Sequence, residues 1–197
     1  MACVANVIRQ RADEEILDRA AALFARHGYE HTSLRSLAES VGLSKAGLLH
    51  HFPSKEALYS AAREVGDAQA RAVLERLSGV APGSERDRRA LELLTDIALD
   101  RPGLVALAFH AVTRPEQVVI DGEDLITGLF AIDPAGGDQE RRVRVVGALA
   151  ALAVLSLAAN HAGERAAWRP LIIATCVDAL GHPGPPTGAR GTHQVED

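Results

Sequence analysis

The residues of this chain best suited to chemistry are cations and hydroxyls gathered in one stretch. Ser33, Arg35, Ser44, Lys45, His50, His51 and Lys55 lie between positions 33 and 55, and Lys45 and Lys55 are the only lysines among 21 basic residues. Arginine, lysine and protonated histidine attract a negatively charged partner, and serine can donate or accept a hydrogen bond. Within 31–55 only Glu39 opposes Arg35, Lys45 and Lys55, with three histidines beside them. The whole chain is acidic, 21 basic against 26 acidic residues for a net −5, a balance that by itself argues against a polyanionic partner. That excess lies past residue 66: residues 1–66 carry 8 basic and 8 acidic groups, and 67–197 carry 13 and 18. The sum therefore describes the second part of the chain and leaves the first open to a negative partner.

Other chemistries find little support. No Ser-His-Asp order, glycine-rich phosphate loop or paired-carboxylate motif stands out, so no enzyme and no cofactor are expected. His27 and His31 are four apart and could join His50 and His51 around a metal. However, His27 suits the negative end of a helix, His31 falls in a turn, and no cysteine or carboxylate completes a ligand set, so no metal is expected. Cys3 and Cys176 cannot build a disulfide framework, which points to a reducing, cytoplasmic setting, with Cys176 in the core. The opening MACVANVIRQR lacks the pattern of a secretory signal. The longest apolar run, Val145 to Ala159, is 15 residues, short of the roughly 20 that a membrane span needs; it reads as a buried helix, and no membrane partner is expected.

The elements that must position the cations are helices. Apolar residues recur at helical spacing and no alternating β-branched run occurs, so the fold class is all-α. An N-terminal arm, 1–10, precedes a helix from Arg11 to His27 with Ile16, Ala20, Ala21, Leu23 and Phe24 on one stripe and Gly28 as its cap. Short helices follow over Leu34–Ser40 and Lys45–His51, each led by a serine, Ser33 or Ser44, able to cap free amides. Gly42 supplies the positive φ of a tight turn between them. Pro53 ends the third helix and Ser54 caps a connecting helix over 54–79. Gly- and Pro-rich breaks then separate helices at 85–99, 103–113, 116–131, 139–161 and 164–180. These fall into a domain over 11–53 and another over 54–181, and the segment from His182 to 197 is expected to be a disordered tail.

Residues 33–52 thus have the pattern of a helix-turn-helix. Leu37, Ala38, Val41, Leu43, Leu48 and Phe52 can pack inward against Ile16, Leu23 and Phe24. Lys45, Ala46, Leu49 and His50 are left facing out. A helix this short must be held by its neighbours, and its small residues Ala46 and Gly47 would let the backbone approach base edges in a major groove.

The stretch from Ile16 to Leu58, above all Thr32-Ser33, Leu37-Ala38, Val41-Gly42-Leu43-Ser44-Lys45 and His50-His51-Phe52-Pro53-Ser54-Lys55-Glu56-Ala57-Leu58, resembles without a gap the DNA-binding domain of TetR-type transcriptional regulators. The resemblance implies that Arg35 makes a base or phosphate contact and that Lys45 does so beside Ala46 and Gly47 at the groove floor. It implies that Ser33, Ser44, His51 and Lys55 touch the sugar-phosphate backbone. Leu49 departs from the family pattern, which has tyrosine there; about 1 kcal/mol of phosphate contact is lost or replaced by contact with a thymine methyl.

The resemblance also implies a homodimer on double-stranded operator DNA and a small-molecule effector, most simply a repressor released by its ligand. The penultimate helix agrees, since Gly147, Ala151, Val154, Leu155 and Ala158 would let another helix approach. With Leu171, Ile172, Thr175 and Ala179 of the last helix they would form a four-helix bundle across a two-fold axis. Leu104, Leu107, Phe109, His110, Arg114, Ile126 and Phe130 are candidates to line the effector pocket, with His110 or Arg114 orienting a polar or anionic group. The alternative is an enzyme or small-molecule-binding protein that keeps the helix-turn-helix as a scaffold and binds no DNA.

Overall fold

A computed structural model describes residues 2–113, 122–133 and 138–182. Among them the backbone is helical and contains no strand. The helices are α1 (Ala2–His27), α2 (Leu34–Ser40), α3 (Lys45–His51), α4 (Lys55–Arg76), α5 (Ser84–Asp100), α6 (Pro102–Thr113), α7 (Gly122–Leu129), α8 (Gln139–Ala162) and α9 (Arg165–Ala179). The first helix begins at Ala2 rather than Arg11, because residues 2–10 hold no breaker and continue the helix ahead of its apolar stripe. At the other end His182, expected in the tail, is held: its Nε2 lies 2.8 Å from Asp87 Oδ2. Residues 183–197 lie outside the described residues.

Two cores share the chain. In the first, Ile16, Leu17, Ala20, Ala21 and Phe24 of α1 bury Leu37, Ala38 and Leu48, with Leu23, Val41, Leu43 and Phe52 packed around them. The inward set expected from the apolar spacing is therefore the observed one. Leu104 and Leu107 of α6 belong to this head core as well. The second core joins α4, α5, α7, α8 and α9 through residues such as Leu77, Leu91, Phe130, Val145 and Ile172. By length and apolar composition α8 could cross a membrane. Here Val145, Ala148, Leu152, Ala153, Ser156 and Ala159 bury one side of it within the protein.

Polar pins hold the second core. Arg86 donates to the carbonyls of Leu77, Val80, Gly128 and Leu129 at 2.8 to 3.2 Å, gathering the ends of α4 and α7. Asp87 is fully buried and accepts from Arg141 Nη2 at 2.7 Å on the side opposite His182. Taking a carboxylate out of water is costly, and removing one of its partners leaves that cost uncompensated.

The joint between the two parts is α1 against α6. A Cβ on Gly103 would stand 1.9 Å from the carbonyl oxygen of Asp18, inside the backbone of α1. Only glycine permits that approach. The Asp18 carboxylate then accepts from the Leu104 amide at 3.0 Å, at the open N-terminus of α6, and Arg101 pairs with Glu14. Burial pushes the Asp18 carboxyl above its ordinary range, while hydrogen bonds from the Leu104 and Gly103 amides pull the other way. Gly103→Ala should force the two helices apart and lower stability by about 1–3 kcal/mol or more, as overpacking against a rigid neighbour does. Urea denaturation checks this; an unchanged midpoint would mean that the helices separate freely.

Candidate DNA-binding face

Three serines set the geometry of the head. Ser33 Oγ accepts from the Ser36 amide at 3.0 Å while Ser36 Oγ accepts from the Ser33 amide at 3.2 Å, a reciprocal cap that starts α2. Ser44 Oγ accepts from the Gly47 amide at 3.0 Å and starts α3. Ser54 Oγ does the same for Ala57 at the head of α4, at 3.1 Å. Between α2 and α3 Gly42 takes φ +73°, which turns the chain in the space of a few residues. The far end of α2 is fastened to α1 by Arg19, which donates to the Ser40 carbonyl at 3.2 Å.

On α3 the buried Leu48 faces the core, while Lys45, Ala46 and His50 are exposed and Gly47 and Leu49 half-buried. Arg35 projects from α2, its guanidinium 2.9 Å from Glu39 Oε1, both side chains largely in solvent. An exposed pair of this kind is weak and readily exchanged. The structure thus brings Arg35, Ser33, Ser44, Lys45, Ala46 and His50 to the outside of one small domain.

Two of the expected backbone-contacting residues are already engaged inside the head. His51 is half-buried, with Nδ1 2.6 Å from Asp13 Oδ1 on α1. Lys55 Nζ donates to the Tyr29 carbonyl at 3.1 Å and lies 4.1 Å from the centre of the Tyr29 ring. Tyr29 was not among the residues expected to matter, although it organises this corner: it packs with Phe24 and Tyr59 and donates through its hydroxyl to Glu56 Oε1 at 2.5 Å. Its place directly after the Gly28 cap was the available signal. Among the described residues no three His, Cys, Asp or Glu side chains stand close enough to hold a metal ion.

A family model for bacterial regulatory proteins of the tetR family matches residues 16–62, the segment that forms this head. Residues 16–62 are a tetR-family domain. It is 42% identical over 76 residues to the transcriptional repressor AcnR of Corynebacterium diphtheriae, covering 38% of this chain and 40% of that protein. It is 44% identical over 46 residues to IcaR of Staphylococcus aureus, a negative regulator of a biofilm operon, covering 23% and 25%. The matches thus span less than half the length of these relatives. Among solved structures, AibR in complex with isovaleryl coenzyme A and operator DNA aligns at 20% identity and a TM-score of 0.46, over 88% of this chain and 100% of that one.

Outside the TetR-type head, a cavity of about 160 Å³ lies between α4, α5, α6, α7 and α8. Of the expected pocket residues Leu104, Phe109 and Ile126 border it. Leu107 and Phe130 do not: Leu107 is buried in the head core and Phe130 in the second core, because an apolar helix residue has the same spacing whether it faces a hole or a neighbour. His110 is not on the cavity wall either, and Arg114 lies outside the described residues. The α4 wall, formed by Gly66, Gln69 and Ala70, was not foreseen.

On the outer side of α8 and α9, Val154 and Leu171 are 59% and 64% exposed, and Gly147 and Thr175 are exposed as well. Ala151, Leu155, Ala158 and Ala179 are half-buried. Ile172, expected on this face, is instead buried within the chain at 1% exposure. Val143 and Leu157, not foreseen, extend the exposed apolar stripe.

The Tyr29–Glu56 hydrogen bond holds the Glu56 carboxyl below its ordinary range and pushes the Tyr29 phenol up to about 12. The stability Glu56 contributes is present above its unfolded value and is lost as pH falls through its lowered folded value. That of Tyr29 is present below its unfolded value and is lost as pH rises towards about 12. Tyr29→Phe should return the Glu56 titration upward towards an ordinary carboxylate, observed by side-chain carboxyl NMR; an unmoved titration would show that the bond is absent in solution.

Proposed function

We propose that this protein is a cytoplasmic, ligand-responsive transcriptional repressor that binds a short palindromic operator as a homodimer and is released by a small molecule. The observation that carries the reading is the outer face of α3, where Lys45, Ala46 and His50 are exposed while Leu48 anchors the helix. A rigidly held short helix with small residues and cations outward suits a major groove. Arg35 exchanges Glu39 for a base edge or phosphate, and the Ser44 hydroxyl keeps its proton for a phosphate oxygen while its lone pair caps α3. Ser33, His51 and Lys55 complete the phosphate track, with Lys55 oriented by Tyr29, and Leu49 offers apolar contact to a thymine methyl. The relatives AcnR and IcaR, named as a repressor and a negative regulator, support repression over activation.

The exposed stripe Val143, Gly147, Val154 and Leu157 on α8 with Leu171 and Thr175 on α9 supports the dimer. Two adjacent helices that leave large aliphatic side chains in water find cover by packing on their own symmetry copies. The pair would set two reading helices about 34 Å apart, one turn of DNA.

Arg35→Ala with Lys45→Ala should weaken operator binding by about 2–6 kcal/mol while the circular dichroism and melting temperature stay put. With three or four phosphates contacted by each subunit, log K should fall against log salt with a slope of about −5 to −7. The operator itself is obtained by selection from a random DNA pool, and recovery of non-palindromic sequences, or of none, would contradict the reading. For the dimer, Leu171→Asp places a charge on an exposed position, so the monomer should fold. Sedimentation should then report half the native mass, and an unchanged mass would remove this face as the interface.

A further inference from the structure

The cavity between α4 and α8 has a chemical character that narrows what can occupy it. Gln69 carries the one polar side chain among its lining residues, and no charged group stands on its wall among the described residues. Its volume of about 160 Å³ is close to the roughly 150 Å³ at which a dry apolar protein cavity accepts benzene. Small residues create the space: Gly66 and Ala70 on α4, Ala108 on α6 and Ala153 on α8. Gly66 is the informative one. It sits inside the 22-residue helix α4, where glycine is unfavourable relative to alanine, yet a Cβ built there meets nothing within 4 Å. Among the described residues no neighbouring atom requires that glycine, and what its missing side chain leaves is room beside the cavity.

We propose that the cavity binds a compact, uncharged organic molecule of about benzene's size bearing one hydrogen-bonding group, with apolar walls taking its body and the Gln69 carboxamide reading its polar group. The proposal rests on the effector reading above and specifies its ligand. Among the described residues an anion of the same shape would find no counter-charge on the wall to offset its lost hydration, which disfavours it. A hydroxyl or carbonyl can be satisfied by the amide, which both donates and accepts. The placement of α6 connects occupancy to the head: Val105, Ala108 and Phe109 line the cavity, Leu107 is built into the head core, and Leu104 belongs to both.

The test uses the full-length protein with benzyl alcohol, cyclohexanol and toluene as probes, and with benzoate as the anionic counterpart. Binding is followed by calorimetry and by melting temperature, and operator affinity is measured in parallel. Benzyl alcohol and cyclohexanol should bind and raise the melting temperature, and benzoate should bind at least tenfold more weakly than benzyl alcohol. Gln69→Leu should keep toluene binding and abolish the advantage of benzyl alcohol over toluene. Gly66→Ala should raise the melting temperature of the empty protein by about 2–4 °C and weaken the alcohols several-fold, a combination that general misfolding cannot produce. Benzoate binding as tightly as benzyl alcohol, alcohol binding untouched by Gly66→Ala, or no alcohol binding by a protein that still binds its operator would each overturn the ligand class and leave the DNA reading intact. Alcohol binding without any change in operator affinity would uphold the ligand class and remove release by ligand.

Discussion

The arrangement of the two halves depends on a missing carbon atom. Because position 103 has no side chain, the start of α6 settles against the backbone of α1, and the carboxylate of Asp18 meets the amide of Leu104. From that contact onward α6 serves two cores. Its Leu107 side chain is packed in the head core, Val105, Ala108 and Phe109 line the cavity, and Leu104 takes part in both. A helix shared in this way cannot shift on one side without disturbing the other, since packed interiors transmit small displacements rather than absorb them. Arg101 and Glu14 add an ion pair at the same joint, so that α1 and the segment leading into α6 are held by charge, hydrogen bond and close packing together.

Much of the head was legible in the sequence, for a physical reason. Its elements are short, and each is punctuated by a residue that acts on its immediate neighbours. Ser33, Ser44 and Ser54 cap the helices they precede, and Gly42 turns the chain. Signals of that kind act over three or four residues and survive without knowledge of the rest. The side chains that point inward were legible too, because a helix of seven residues has one way to bury Leu48 and leave Lys45 exposed.

Beyond the head the local signals fade and partners become distant. Phe130 and Phe109 are both aromatic residues on apolar segments, yet one is sealed in the core and the other faces a cavity, a difference decided by helices elsewhere in the chain. Ile172 and Leu171 are neighbours with opposite fates, at 1% and 64% exposure, because a single step of 100° around α9 separates the interior from the surface. The early start of α1 was not legible, since apolar periodicity marks where a helix is packed and says little of where it begins. Nor was the part played by Tyr29, because its partners Phe24, Lys55, Glu56 and Tyr59 gather only when α1 and α4 meet.

The pairing of Asp87 with Arg141 and His182 bears on the order in which the chain can be completed during synthesis. The carboxylate waits for one partner 54 residues further on and for another 95 residues further on, next to the end of the described chain. A growing chain that has produced only α1 to α6 possesses every residue of the head core. The second core at that stage would enclose a charge lacking its counterparts, an arrangement that a protein interior resists. The head core is thus complete in the sequence by Leu107, whereas the buried Asp87 has both of its partners only when Arg141 and His182 are included.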